Sequence, residues 1–260
     1  MTKLLSRISA IASILIAQLA FAGAAEITVY STIGVKHSLE ELATQFEKTS
    51  GHKMNITFGT AAALAKRIQA GEQADLLILT KQANETLTKD GKVLDGSAAN
   101  FTTSVMAVAV KKGAPKPDIS TADAFKASML AAKSIAYPDP AGGGFSGVYF
   151  AQLAERLGIA DQVKAKAKFP PDNFSAKLLV TGEAEVAVMQ KPELIAVDGI
   201  DIVGPYPSEL NVVTVYTASV GKDSKQSAAA GAAVKFLQGP EAAAVFKRDG
   251  FDAITSPKAS

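Results

Sequence analysis

Short apolar segments alternate with amphipathic ones along the first third of the chain. Leu39, Leu42, Ala43 and Phe46 are spaced as on one face of a helix, and a glycine follows each helical segment. The run at 75–79 is almost purely apolar, which is typical of a strand covered on both faces. This pattern predicts strands at residues 26–31, 54–58 and 75–79, with helices near 39–46, 64–70 and 82–90. Three successive strand–helix units predict a parallel sheet.

A second alternating set follows a longer strand at 102–111 and a proline-rich break. It predicts helices at 122–131, 147–157, 175–180, 228–237 and 240–247, and strands at 134–137, 186–189 and 212–220. We interpret the chain as an α/β protein of two lobes, with the strands at 102–111 and 212–220 joining them. Residues 25–104 with 215–260 would form lobe 1, and residues 105–214 lobe 2. One large doubly wound sheet is the alternative, since periodicity alone does not separate the two.

The first 24 residues have the pattern of a secretory signal peptide. Lys3 and Arg7 precede an apolar run to Phe21, and Ala22-Gly23-Ala24 supplies the small residues of a cleavage site. The apolar run is shorter than the ~20 residues of a membrane span. We therefore expect export to the periplasm and cleavage near residue 24.

Composition narrows the function classes. The chain has 260 residues, no Cys and two His, so thiolate metal sites and cysteine nucleophiles are excluded and we expect no protein-bound metal. Without the leader, 25 basic and 25 acidic residues remain. A neutral chain without a basic run indicates neither nucleic acid nor an anionic membrane as a partner.

Three predicted strand-to-helix turns are rich in small and hydroxyl residues: 31–34, 59–62 and 141–147. Such turns lie at the carboxyl ends of the strands, where α/β proteins bind ligands. Free backbone N–H groups at helix starts can hold an anion there. Lys36 follows the first turn and is a candidate counter-charge. The sequence therefore predicts an anion site built from these turns.

An exported hydrolase is a remote alternative. Gly144-Phe145-Ser146-Gly147-Val148 nearly matches a nucleophile elbow, but the last glycine is replaced by Val148. Neither histidine follows this serine in the chain, so a nucleophile–base pair is lacking. We expect a binding protein and no enzyme.

Four segments together are similar to one known family. They are ITVYS after the leader, ALAKRIQAGEQADLLIL, AYPDPAGGGFSGVYFAQLAERLG, and FLQGPEAAAVFKRDGF near the end. In this order they resemble the molybdate-binding class of periplasmic solute-binding proteins of ABC transporters. The resemblance implies a type II two-lobed periplasmic binding protein fold, closure on a ligand between the lobes, and a permease in the inner membrane as partner.

The resemblance also implies site positions. The family's two serine ligands fall on Gly34 and Ala61, and its tyrosine ligand falls on Gln190. Its backbone donors match Ser146-Gly147 and a residue near Asn173 or Phe174. Three side-chain ligands of the family are therefore absent, and Ser31, Thr60 and Lys36 are available to rebuild the site.

The expected function is that of a monomeric receptor, without a cofactor, for a small transported anion. A molybdate- or tungstate-like oxyanion is the expected ligand, and a small di- or tricarboxylate is the alternative.

Overall fold

The computed structural model describes residues 23–254. The predicted leader lies outside this range except for its last two residues. Within the described range, no helix combines the length and the apolar character needed to cross a membrane.

Lobe 1 is built on three parallel strands from the first third of the chain. Strand β1 lies between β2 and β3, and every residue of β1 pairs with one of β2. The elements are β1 (Glu26–Thr32), α1 (Lys36–Ser50), β2 (Lys53–Gly59), α2 (Ala61–Gln69), β3 (Leu76–Thr80) and α3 (Lys81–Lys89). The last strand and two helices of the chain, β9 (Val213–Val220), α9 (Ser227–Leu237) and α10 (Pro240–Arg248), return to this lobe.

Lobe 2 contains the middle of the chain. Its strands β5 and β7 are parallel, and β7 and β8 flank the second half of β4 as antiparallel neighbours. The elements are β4 (Ala99–Lys111), α4 (Ala122–Ala131), β5 (Ile135–Ala136), α5 (Phe145–Arg156), α6 (Ala160–Ala165), β6 (Ala167–Lys168), α7 (Ala176–Thr181), β7 (Val186–Gln190), α8 (Lys191–Ile195) and β8 (Ile200–Pro205).

Strand β4 belongs to both lobes. Residues 99–105 pair with β9, and residues 106–110 pair with β7, so the neighbours change between Val105 and Met106. Strand β9 is antiparallel to both β3 and β4. The sheet is therefore mixed: β1, β2 and β3 are parallel, as the three strand–helix units predicted, but β9 is not. The reason is that β9 enters from lobe 2 without a crossover helix, which parallel pairing requires.

Each lobe has its own apolar core on both faces of its strands. In lobe 1, Leu39, Leu42 and Phe46 of α1 are buried against Ile27 and Val29 of β1, as the helical spacing predicted. In lobe 2, α4 and α5 bury one face of β4 and β7, and an alanine-rich cluster fills the other face. Two separate cores sharing one long strand give the two-lobed fold.

The predicted elements agree with the structure within a few residues, and α4 agrees at both ends. Sequence reasoning missed α6, β6, α8 and β8, each of six residues or fewer. Elements this short span too few residues for a periodic pattern to show. The lobe boundaries drawn from the sequence stay a prediction.

Candidate functional site

A cavity of about 650 Å³ lies between the lobes at the carboxyl ends of the strands. Residues from both lobes line it, and the helices α2, α3 and α5 all begin there. The lining residues used below are Gly34, Thr60, Ala61, Lys66, Thr80, Phe145, Ser146, Tyr149, Asn173, Gln190, Glu193, Thr214 and Tyr216. This volume is typical of a small-molecule site.

The lobe 1 wall is formed by two helix starts. The Thr60 hydroxyl accepts a hydrogen bond from the Ala63 backbone N–H at 3.2 Å, and Thr80 caps α3 in the same way at 3.4 Å. Each cap satisfies one of the free N–H groups of its helix and leaves others toward the cavity. The wall therefore offers backbone donors and a positive dipole end to an anion.

The lobe 2 wall begins with the glycine-rich turn. A Cβ on Gly147 would overlap the Pro138 carbonyl oxygen, so only glycine allows α5 to approach the preceding segment this closely. Gly144 is the N-cap of α5 and has no side chain to occupy the first N–H groups. Phe145 and Tyr149 extend this wall as stacked rings, with centroids 5.9 Å apart and an interplanar angle of 12°.

Buried polar side chains form the floor of the cavity. Ser104 hydrogen-bonds the Gln190 side-chain oxygen, and its hydroxyl lies 3.3 Å from the Tyr216 hydroxyl. The Gln190 amide nitrogen donates to Thr214 at 2.7 Å. Burial holds the pKa of Tyr216 well above its usual range, so the phenol keeps its proton. This network joins the polar groups of the floor to one another and keeps them neutral.

Glu193 is the one acidic side chain among the described residues that line the cavity. It is buried, and the Ser146 hydroxyl lies near enough to its carboxyl group to affect its pKa. Burial raises the pKa of Glu193 to about 8, although the Ser146 hydroxyl acts in the opposite direction. Near neutral pH this carboxyl group therefore holds its proton for most of the time.

Lys66 supplies the one positive side-chain charge among the lining residues of the described chain. It lies in the last turn of α2, and it is exposed. No group of three or more His, Cys, Asp or Glu within residues 23–254 could hold a metal ion. The site as built offers backbone and neutral side-chain donors, with one cation at its edge.

Five of the nine residues proposed from the sequence line this cavity. They are Gly34, Thr60, Ala61, Ser146 and Gln190. All three of the small-residue turns contribute to the lining, as their positions at strand ends predicted. The structure therefore brings these residues together, and whether they bind a ligand stays a prediction.

Two side chains proposed to rebuild the site do not line the cavity. Ser31 is fully buried in β1, where its hydroxyl donates to the Thr32 carbonyl at 3.2 Å. The Lys36 ammonium forms an ion pair with Glu40, one helical turn further on, and lies 4.6 Å from the centre of the Phe58 ring. A cation at this helical spacing finds its partner on its own helix, which directs it away from the cleft.

Two backbone positions are also displaced from the cavity lining. Gly147 packs against Pro138, and the Phe174 N–H donates to the Asp172 carboxylate at 3.1 Å. The lining residue at the second place is Asn173, which has a φ of 66°.

Sequence reasoning missed Tyr216 and Glu193. Tyr216 lies in a predicted strand, where an aromatic residue is expected for packing alone. Glu193 lies in α8, a helix too short to be predicted, and an acidic residue near a helix start is common. In the sequence, neither residue differs from a residue that serves packing or a helix start alone.

The sequence matches the family described as bacterial extracellular solute-binding protein over residues 27–252. It is 34% identical over 234 residues to a Pseudomonas protein named aconitate isomerase, covering 88% of each chain. It is 28% identical to the molybdate-binding protein ModA of Escherichia coli, covering 89% of this chain and 91% of that protein. The structure of the Azotobacter vinelandii periplasmic molybdate-binding protein superposes with a TM-score of 0.70 at 20% identity, over 88% of this chain and all of the other.

The first of these relatives corrects one expectation. The lack of a nucleophile–base pair led us to expect no enzyme, but a protein with 34% identity over nearly the whole length is named as an isomerase. Isomerisation needs no such pair, because a single acid–base group can move a proton. The exclusion of enzymes on this ground was wrong.

The fold, the cleft between the lobes and the sequence similarity over nearly all of the described residues all indicate the same family. This chain belongs to the family of bacterial extracellular solute-binding proteins, with molybdate-binding proteins among its relatives.

Proposed function

We propose that the cleft binds a small organic polycarboxylate, with aconitate as the first candidate. The observation that carries this ligand class is the composition of the lobe 2 wall, where the Phe145 and Tyr149 rings stand beside the backbone donors of α5. The Phe145 side chain is 39% exposed at the cavity. The carbon skeleton of an organic acid can cover such a wall, whereas a bare tetrahedral oxyanion has no apolar surface to place there.

The donors suit an anion with several separated carboxylates. The first-turn N–H groups of α2 and α5 lie on opposite walls, and the Tyr216 hydroxyl lies on the floor. A carboxylate oxygen accepts hydrogen bonds from each kind of group, and such charge-assisted bonds are stronger than neutral ones. Lys66 at the rim can neutralise part of the remaining charge. A cavity of about 650 Å³ has room for a tricarboxylate across these points.

A molybdate-like oxyanion is the competing ligand. Relatives named as molybdate-binding proteins favour it, and backbone donors from α2 and α5 could converge on it if the lobes close. Against it, glycine, alanine and glutamine stand where the family resemblance implies hydroxyl ligands, at positions 34, 61 and 190. Fewer short hydroxyl donors make a compact oxyanion the weaker candidate.

Isomerisation of the bound acid is the second candidate function. The relative named aconitate isomerase favours it, and Glu193 places an ionisable carboxyl group in the cleft. As a solute-binding protein, the chain would instead deliver the acid to an inner-membrane ABC permease from the periplasm, as a monomer. Both roles begin with the same binding event.

Calorimetric titration tests the ligand class. We expect cis- or trans-aconitate to bind more tightly than molybdate, tungstate or sulfate. Phe145→Ala should weaken aconitate binding about tenfold, because it removes apolar contact area of one aromatic ring. The matched control is Phe169→Ala, which removes an exposed ring that does not line the cavity. Tight molybdate binding with no measurable binding of any carboxylate would refute the proposal.

A further inference from the structure

We infer that Glu193 is the group that transfers a proton to and from a carbon atom of the bound polycarboxylate. This inference rests on the proposed carboxylate site and on its second candidate function, isomerisation. Glu193 is the acidic side chain among the described residues that line the cavity, and it lies in α8, which begins directly after Gln190 of the floor. A group that exchanges a proton with a ligand must reach it, and Glu193 lines the space that the ligand would fill.

The surroundings of Glu193 suit a group that gives and takes a proton. Because burial keeps Glu193 protonated for most of the time near neutral pH, it does not repel an anionic ligand, and its ionised fraction can act as a base. Burial also makes the carboxylate a stronger base than a solvated glutamate, since its pKa is raised to about 8.

Tyr216 is placed to assist this step. Its phenol is buried close enough to Glu193 that a charge on Glu193 raises the pKa of Tyr216 further. In the structure this hydroxyl lies 3.3 Å from Ser104, whose own hydrogen goes to Gln190, so Tyr216 would have to redirect its proton from Ser104 to donate to a ligand carboxylate. A carboxylate held in this way is better able to accept electron density from an adjacent carbanion.

The step balances without any further reactant. In an unsaturated tricarboxylate such as cis-aconitate, Glu193 as carboxylate takes a proton from the methylene carbon, and that C–H electron pair forms a new C=C bond. The electron pair of the old C=C bond then takes a proton at its far carbon from the Glu193 carboxylic acid. The double bond has moved by one carbon, Glu193 is again a carboxylate, and the product can have the other geometry.

Hydrogen exchange in D₂O, followed by proton NMR of cis-aconitate, tests the inference. We expect wild-type protein to exchange the methylene protons well above the buffer rate. Glu193→Gln keeps the side-chain shape and an acceptor for Ser146, so calorimetry should show cis-aconitate binding within about tenfold of wild type. Exchange should fall by about 100-fold or more, the usual contribution of an acid–base group. The matched control is Glu155→Gln, an exposed residue of α5 that does not line the cavity, and it should behave as wild type.

The outcomes separate the inference from the proposed function. Absence of any cis-aconitate binding to wild type refutes the proposed ligand. Binding without exchange by wild type, or exchange by Glu193→Gln at the wild-type rate, overturns the role of Glu193 alone. If circular dichroism shows that Glu193→Gln does not fold, the same binding and exchange measurements on Glu193→Asp replace it as the test. The shorter side chain should bind cis-aconitate and exchange it at least about tenfold more slowly, and an unchanged rate overturns the inference.

Discussion

The Tyr216 hydroxyl occupies the space that a side chain at position 34 would need. A Cβ built on Gly34 would lie 2.6 Å from the Tyr216 hydroxyl oxygen and 3.2 Å from its ring. The family resemblance implies a serine ligand at position 34 and a tyrosine ligand at position 190. In this protein a glycine stands at the first position, Gln190 stands at the second, and a phenol comes from β9 instead. Gly34 leaves room for this phenol at the cavity.

This contact predicts that Gly34→Ala destabilises the protein by about 1–3 kcal/mol, the usual cost of overpacking a buried contact. In Tyr216→Phe the oxygen is absent, so adding Gly34→Ala should cost less than it does in the wild type. Urea unfolding of both single variants and the double variant measures the interaction energy between the two positions. Strictly additive effects would show that the two residues do not compete for this space.

The close approach of α5 predicts a second glycine effect. Gly147→Ala would push a Cβ into the Pro138 carbonyl oxygen, so we expect a loss of about 1–3 kcal/mol or more. Gly231→Ala is the control, since Gly231 lies inside α9 with open space around its Cβ position. That variant should gain about 0.5–1 kcal/mol from helix propensity. Equal effects in both would contradict the close contact in the glycine-rich turn.

Glu193 should make the free energy of unfolding depend on pH. Its pKa is about 8 in the folded protein and near 4.5 in the unfolded chain, so the folded state holds the proton more tightly. The contribution of Glu193 to stability is therefore fully present below about pH 4.5 and is lost as pH rises to about 8. Glu193→Gln lacks this loss, so its free energy of unfolding should rise relative to that of wild type between pH 5 and pH 9. The rise should be about 1.4 kcal/mol for each unit by which the pKa of Glu193 is shifted. Denaturant unfolding at both pH values, with Glu155→Gln as control, measures the difference.

Lys66, rather than Lys36, should supply the counter-charge of the cleft. We expect Lys66→Met to weaken cis-aconitate binding by about 5- to 30-fold, because an exposed charged donor contributes about 1–2 kcal/mol. Lys36→Met should leave affinity nearly unchanged, since Lys36 is paired with Glu40 on its own helix. Calorimetric titration at low and high salt measures the affinity of both variants for cis-aconitate. A loss of about 10- to 150-fold on changing Lys36 instead would restore the assignment made from the sequence.

The two-lobed fold predicts closure on the ligand. The cleft is open to solvent, and its donors act more strongly once water is excluded. Small-angle scattering should therefore show a smaller radius of gyration with saturating cis-aconitate, as for hinge closure in two-lobed proteins. An unchanged scattering curve with a ligand that calorimetry shows to be bound would contradict closure.

The sequence alone determined most of the longer elements and the α/β class. The apolar run of β3 and the helical spacing of Leu39, Leu42 and Phe46 are local patterns, and each reports which face of an element is buried. Gly51 ends α1 in the left-handed conformation with a φ of 75°, as a glycine after a helical segment indicates. The small-residue turns were also readable, because strand-to-helix turns of an α/β sheet share one edge.

The tertiary structure alone decided which side chains face the cleft. Lys36 and Lys66 both lie on helices beside the site, and only the packing of α1 and α2 determines that one pairs along its own helix while the other lines the cavity. Gly34 and Tyr216 are far apart in the sequence and meet because β9 returns beside β3 from the other lobe. In the sequence Glu193 looks like an ordinary acidic residue at a helix start, and its raised pKa comes from its burial in the folded chain. Periodicity reports the environment of an element over a few turns, whereas contacts between distant strands and the loss of solvent around a carboxyl group depend on the whole packed chain.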